Sequence, residues 1–151
     1  MVKRIIFVCT GNICRSVMAE GILKNLLKEK GITNISVSSA GIEANPEYKI
    51  YGYLEEVIHN AGIDFSNHIS TQLTEKEIHN SDLIFVMEKR HKEYILKKFP
   101  QANKKVFLLK DYAGYGEVDI EDPIGQPPPA HKQKLEEIAD CIHRALPKIL
   151  K

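Results

Sequence analysis

Four apolar residues, Ile5, Ile6, Phe7 and Val8, run without interruption into Cys9-Thr10-Gly11-Asn12-Ile13-Cys14-Arg15-Ser16, and a helical pattern begins directly beyond that turn. An unbroken apolar run predicts a strand buried on both faces, which requires a sheet covered by helices. From Ser16 the period changes. Met18, Ala19, Ile22, Leu23, Leu26 and Leu27 recur every three or four residues, with Lys24, Lys28, Glu29 and Lys30 between them, as far as Gly31. This predicts an amphipathic helix with a serine cap and a glycine stop. Strand, glycine-containing turn and helix start together form a unit that few fold classes accommodate.

The same alternation continues along the chain. Ile35 and Val37 lead as a second short strand into Ser38-Ser39-Ala40-Gly41, and a helix is expected over residues 47–60, with Leu54, Val57 and Ile58 as its apolar side and Gly62 as its exit. A short helix at 74–79, an apolar strand at 83–87, a charged helix at 89–98 and a last strand at 106–109 follow. Residues 110–130 carry Gly114, Gly116, Pro123, Gly125, Pro127, Pro128 and Pro129 and show no period, which marks a functional or disordered loop. The closing helix presents Leu135, Ile138, Ala139, Ile142 and Leu146 on one face, with Pro147 expected to end or bend it. Four strands alternating with helices predict an α/β fold with a four-stranded parallel sheet and right-handed crossovers, in a single domain over residues 1–151.

Charge narrows the function. The chain has 21 basic and 20 acidic residues among 151, with no long run of either sign, so neither nucleic acid nor a membrane surface is expected as a partner. No stretch approaches the length of apolar residues needed to span a bilayer, and the N-terminus lacks a signal-peptide core. Cysteines occur only at 9, 14 and 141, an odd number without metal-ligand pairing, and the six histidines are not spaced with carboxylates or thiols as ligands. A cytoplasmic protein without metal or cofactor is expected.

The turn itself supplies the chemistry. Backbone amides of Thr10, Gly11, Asn12, Ile13 and Cys14 and a helix N-terminus face one concavity, a place suited to an oxyanion. A cysteine at its start is biased toward thiolate by the helix end and by a neighbouring guanidinium. Arg15 has the planar fork that holds two phosphoryl oxygens and neutralises charge developing on them, which lysine does not reproduce. The spacing of Cys9 and Arg15 alone is a weak signal; the strand before it and the helix after it make it specific. Cys14 lies in the same loop, so a Cys9–Cys14 disulfide would protect the nucleophile from irreversible oxidation, whereas Cys141 reads as packing.

The run from Val8 to Glu20, V-C-T-G-N-I-C-R-S-V-M-A-E, resembles the active-site signature of the low-molecular-weight protein tyrosine phosphatases. The resemblance extends through Ser39-Ala40-Gly41, Gly62-Ile63-Asp64 with Ser66 and His68, Ser81-Asp82-Leu83-Ile84 with Met87, and Asp122-Pro123. It implies a four-stranded parallel sheet flanked by helices on both faces, with the phosphate-binding loop after strand one at the topological switch point. It further implies Cys9 as the nucleophile of a phosphocysteine intermediate, Arg15 as the clamp, and Ser16 as the hydroxyl that stabilises the thiolate. Asn12, Ser39 and His68 correspond to a network that holds the loop in its strained shape. Cleavage of a phosphate ester needs a proton donor for the leaving oxygen, and the resemblance assigns that role to Asp122, which Pro123 holds extended. A phosphoprotein is the implied substrate and inorganic phosphate the product.

Three departures bear on substrate. The family usually has proline where this chain has Val17, a change of small consequence. Members acting on phosphotyrosine generally carry an aromatic residue after Asp-Pro, where Ile124 and Gly125 stand here; Tyr48, Tyr112 or Tyr115 could replace that wall, with ordinary surface tyrosines slightly favoured. Ile13 points the other way, because in relatives that dephosphorylate arginine the position resembles a threonine. Phosphotyrosine is therefore the first expectation and phosphoarginine the second. An arsenate reductase on the same fold would need resolving cysteines, and residues 82–98 contain none. A non-catalytic phosphate-binding or redox-sensing module would not need Asp122.

Overall fold

In the computed structural model, which describes residues 3–151, strands and helices alternate. Their order is β1 (Lys3–Cys9), α1 (Arg15–Glu29), β2 (Ile35–Gly41), α2 (Gly52–Asn60), α3 (Glu75–Asn80), β3 (Leu83–Val86), α4 (Lys89–Lys98), β4 (Val106–Leu108), α5 (Leu109–Tyr112) and α6 (Pro128–Ile149), with a 3₁₀ turn at Pro100–Ala102. All pairings are parallel and the sheet order is β2-β1-β3-β4. From β1 the chain crosses to one neighbour and later returns to the other, so the segments leaving β1 and β3 diverge and open a crevice at the carboxyl ends of these strands. Cys9 ends β1 and Glu88 lies just beyond β3, which puts both at that crevice.

The unbroken apolar run of β1 is explained by its central place. Ile5, Phe7 and Cys9 face α1 and α6, where they meet Met18, Leu23, Ile138 and Ile142. Ile6 and Val8 face the opposite layer, with Ile78 of α3 and Ile95 of α4. Phe7 stacks on Phe85 of β3 with ring centroids 5.5 Å apart. Burial of each such side chain stabilises the fold by roughly 1.5–3 kcal/mol, so a polar residue anywhere in this run would be costly on either face.

Several boundaries differ from the sequence pattern, each for a local reason. Helix α1 starts at Arg15 with Cys14 at its cap, and Ser16 does not cap it, because the Ser16 hydroxyl is engaged inside the turn by Cys9 and Asn12. Helix α2 begins at Gly52 rather than near residue 47; Asn45 instead closes a turn by accepting the Glu47 N–H, and the Tyr51 hydroxyl is bound to His131. The last strand stops at Leu108 and the chain turns at once into α5, within the stretch that shows no period. Helix α6 takes Pro128 and Pro129 into its first turn, where no intrahelical N–H is needed. Pro147 neither ends nor interrupts α6: the bond it forfeits belongs to the carbonyl of exposed His143, and burial of Leu146 and Ile149 carries the helix past it. The short helix α3 opens with a reciprocal capping box between Thr74 and Glu77.

Gly41, the last residue of β2, couples the sheet to the turn after β1. Its N–H donates to the Thr71 carbonyl at 2.9 Å and its own carbonyl accepts the Leu73 N–H at 2.8 Å. A Cβ here would run into the Thr10 carbonyl and come within 3.0 Å of the Asn12 nitrogen and 3.1 Å of the Ala44 Cβ. Gly41→Ala is expected to destabilise by about 1–3 kcal/mol, which at about 2–4 °C per kcal/mol is a visible drop in melting temperature. Gly52→Ala, where an added Cβ meets nothing within 4 Å, should leave it unchanged or raise it. Equal melting temperatures for the two variants would remove the close approach as the reason for Gly41.

Candidate active site

The turn after β1 is built around Asn12, the one non-glycine residue with positive φ (57°) among those described. Left-handed backbone is unfavourable for an L-residue, though asparagine tolerates it best. Five hydrogen bonds hold it there. Its carbonyl accepts from the Ser70 hydroxyl at 3.1 Å and from His68 Nε2 at 2.7 Å, which fixes the His68 tautomer with its proton on Nε2. Its side-chain oxygen accepts the Thr71 N–H at 2.9 Å, and its amide donates to Ser16 Oγ at 2.8 Å and Ser39 Oγ at 2.9 Å. Ser39 passes its own proton to Glu20 Oε1 at 2.5 Å. The expected group of Asn12, Ser39 and His68 is thus brought together; Glu20, which closes the signature run without an assigned role, belongs to it as well, as do Ser70 and Thr71, which carry no sequence signal.

Ser16 Oγ receives the Asn12 amide and lies 2.9 Å from Cys9 Sγ, so its own O–H is free to donate to the sulfur. Cys9, Cys14 and Cys141 are all free and buried. Burial pushes the Cys14 thiol well above its ordinary range, and the neighbouring Cys9 and Asp122 add to it. Burial likewise pushes Cys141 up to about 11.

Arg15 is 1 % exposed. Its Nη1 donates to Glu88 Oε2 at 2.6 Å and to the Ile120 carbonyl at 2.7 Å, and its Nη2 lies 3.4 Å from Thr10 Oγ1 and 3.6 Å from Asp122 Oδ2. Both Nη1 protons are therefore committed to the protein, while among the described residues Nε has no partner and Nη2 only these longer contacts, which makes this the edge that can turn to a ligand. Burial opposes the charge on Glu88, yet hydrogen bonds from Arg15 and Arg90 outweigh it and hold the carboxyl below its ordinary value. His91, fully buried, is pushed down to about 3 by burial and by the two guanidinium charges, against the pull of Glu88. It is neutral, so its 3.7 Å approach to Glu88 is not an ion pair. Its Nδ1 accepts the Glu88 N–H at 3.0 Å, and Nε2–H donates to Thr10 Oγ1 at 3.0 Å. Neither Glu88 nor His91 was singled out by the sequence; both lie in the charged start of α4, which reads as a solvated face.

The unpatterned segment 113–127 proves to be tethered. The Ile120 N–H donates to the Met87 carbonyl at 2.8 Å, Asp119 Oδ1 accepts the Lys89 N–H at 2.8 Å, and Asp122 Oδ1 accepts the Ile124 N–H at 3.0 Å. At the mouth Ile13 is half-buried and Ile124 is exposed. Of the three tyrosines considered for a wall, Tyr112 packs on Phe85 and Phe107, and Tyr115 bonds to Asp140 beneath Arg144. Tyr48 differs. Its ring lies 3.7 Å from where a Gly11 side chain would start, beside Ile13, and it is 47 % exposed. Among the described residues no cluster of three or more His, Cys, Asp or Glu is placed to hold a metal, and no helix is long and apolar enough to cross a membrane.

Comparison with known proteins finds one family. Residues 4–151 match the model described as "Low molecular weight phosphotyrosine protein phosphatase". A Bacillus subtilis (strain 168) protein named protein-arginine-phosphatase is 39 % identical over 147 residues, covering 97 % of this chain and 96 % of its own. A Ralstonia nicotianae protein named as a probable low molecular weight protein-tyrosine-phosphatase, EpsP, is 36 % identical over 99 % of this chain and 97 % of its own. The crystal structure of a low molecular weight protein tyrosine phosphatase from T. tengcongensis superposes with a TM-score of 0.90 at 35 % identity, covering 97 % of this chain and 99 % of that one.

The neutral, buried His91 gives this site a pH signature. The ordinary value is 6.5 and the folded value about 3, so the unfolded chain binds a proton that the folded chain refuses. That stabilisation is fully present above pH 6.5 and is lost as pH falls toward 3, with a slope approaching about 1.4 kcal/mol per pH unit. His91→Gln should lose stability less steeply than the parent between pH 6.5 and 5 in denaturant titrations; identical slopes would mean that His91 is not neutral in the fold.

Proposed function

The chain belongs to the low molecular weight phosphotyrosine protein phosphatase family, a family of cysteine-dependent phosphatases, and on that premise we propose that it hydrolyses phosphotyrosine in proteins through a phosphocysteine on Cys9. The observation that carries this reading is convergence: the Arg15 guanidinium, adjoining Cys9 and Ser16 in one turn, lies 3.6 Å from the carboxylate of Asp122, more than a hundred residues away in sequence. The phosphoryl group sits on the backbone amides of residues 10–15, with two of its oxygens on the Nε and Nη2 edge of Arg15. Cys9 Sγ attacks phosphorus as thiolate, the bond from phosphorus to the phenolic oxygen breaks, and protonated Asp122 delivers its proton to that oxygen. In the second step the Asp122 carboxylate takes a proton from water, the water oxygen attacks phosphorus, and the sulfur leaves as thiolate toward the Ser16 hydroxyl. Inorganic phosphate is released and both residues return to their starting states. Arg15 offsets the charge on the equatorial oxygens in both transition states.

Phosphotyrosine is placed first because Ile13 and the ring of Tyr48 give the mouth two apolar walls suited to an aromatic ring. Phosphoarginine is the second reading, favoured by the name of the Bacillus subtilis relative. We further take residues 1–151 as one phosphatase domain acting in the cytoplasm, where three free cysteines stay reduced. A turnover panel of phosphotyrosine peptide, phosphoarginine protein, phosphoserine peptide and arsenate with thiol decides among substrates. Phosphate release from the tyrosine peptide should lead the panel and vanish in Cys9→Ser; release that survives this substitution overturns the mechanism. Asp122→Ala should slow an alkyl or tyrosyl ester by about 10²–10⁴-fold but an activated aryl phosphate far less. Equal slowing of both would remove Asp122 from the proton-donor role.

A further inference from the structure

A second guanidinium stands at the mouth and the mechanism above makes no use of it. Arg90, in the first turn of α4, donates from Nη2 to Thr10 Oγ1 at 2.5 Å, which places it over the residue next to the nucleophile. Unlike Arg15, its side chain is 49 % exposed. Its one carboxylate partner among the described residues is Glu88, at 3.2 and 3.4 Å, and Glu88 is already held more closely by buried Arg15 at 2.6 Å.

Two guanidinium groups thus share the Glu88 carboxylate, and among the described residues only Arg15 has a second one, Asp122 at 3.6 Å. The other groups nearby give Arg90 no second partner. His91 is neutral, Asp122 faces Arg15, Asp119 is occupied by the backbone N–H of Lys89, and the Lys89 ammonium turns to the Glu117 carbonyl at 3.3 Å. Arg90 Nη1 has no partner among the described residues, so the rim carries a half-exposed guanidinium with free N–H donors.

Resting on the phosphoprotein reading of the site, we infer that Arg90 determines specificity by binding an acidic side chain one or two residues from the phosphorylated one. A phosphorylated side chain that reaches the floor of the pocket holds its own backbone at the rim. Successive residues of an extended peptide advance about 3.3 Å each and alternate in direction. A neighbouring aspartate or glutamate therefore comes within reach of a guanidinium at this height, whose unpartnered Nη1 donates to the carboxylate. The pair stays half in water, so its contribution is moderate and sensitive to salt.

The test uses phosphotyrosine peptides that differ only in flanking Asp and Glu against Asn and Gln, assayed with the parent enzyme, Arg90→Gln and Arg90→Lys. A small aryl phosphate in the same assays normalises for the amount of active enzyme. The parent should favour the acidic peptide by about 3–10-fold in kcat/KM, mainly through KM, and the ratio should shrink at high salt. Arg90→Gln should bring the ratio to about 1, and Arg90→Lys should restore part of it. An unchanged ratio in Arg90→Gln overturns the inference. So does a common loss on acidic peptide, neutral peptide and aryl phosphate, because that would reduce Arg90 to a support for Thr10. A gain seen only with a second phosphate beside the first, and not with carboxylates, also overturns it. If neither tyrosine peptide turns over while a phosphoarginine protein does, the tyrosine reading has failed, and the same acidic and neutral pair built around phosphoarginine decides the role of Arg90.

Discussion

Everything at the crevice depends on one residue being held in a backbone conformation it would not choose. Asn12 turns the chain between β1 and α1 with a left-handed residue, and its side chain and carbonyl tie the turn to β2, to α1 and to the segment around residues 68–71. Strain of this kind persists only where the surroundings over-determine it. Here the restraints arrive from three separate stretches of chain, and Ser39 is itself held by Glu20. The same amide that fixes the turn also fills a lone pair on Ser16 and so directs the serine proton toward Cys9. The local geometry and the hydroxyl turned toward Cys9 are two results of one set of bonds.

The Arg15 guanidinium is arranged by a different logic. A charge this buried is tolerated only when paired and hydrogen-bonded, and removing one partner of such a pair costs several kcal/mol. Glu88 and the Ile120 carbonyl take one nitrogen completely, and the other edge is held only by the longer contacts of Nη2 to Thr10 and Asp122. The position of the arginine is thereby set before any ligand arrives, which is the condition for electrostatic stabilisation without reorganisation. The neutral state of His91 fits the same arrangement, since burial and the two guanidinium charges beside it oppose a third cation.

The sequence made much of this legible, and the reasons for what it hid are physical. The central strand, the turn and α1 were readable because β1 is buried on both faces and leaves an unbroken apolar run, and because period and composition change abruptly at the turn. Helix α4 was readable in full for the same reason of period. The Ser16 cap was misassigned because serine before a helix has two uses, capping and side-chain bonding, and only the fold shows that Cys9 and Asn12 claim it. Pro147 does not end α6, because the loss of one helical bond is outweighed by burial of the residues around it. Glu88 and His91 were invisible for another reason. They sit among Lys89, Arg90, Lys92 and Glu93, and nothing in a charged run distinguishes the residues turned inward from those in water. The resemblance, not periodicity, pointed to Asp122, Ser39 and His68, whose partners lie tens of residues away.

The floor and the rim of the crevice differ in how much of the molecule is invested in them. Asn12, Arg15 and Ser16 are buried, and each is bound to several partners, so almost any replacement there disturbs the turn itself. Ile13, Tyr48 and Ile124 border the opening half-buried or exposed, and no side-chain hydrogen bond of theirs supports the floor. Such a division lets one set of residues drift while the other is frozen. A lineage built on this scaffold can exchange the kind of phosphorylated side chain it admits through a few changes at the opening, without relearning how to break the bond.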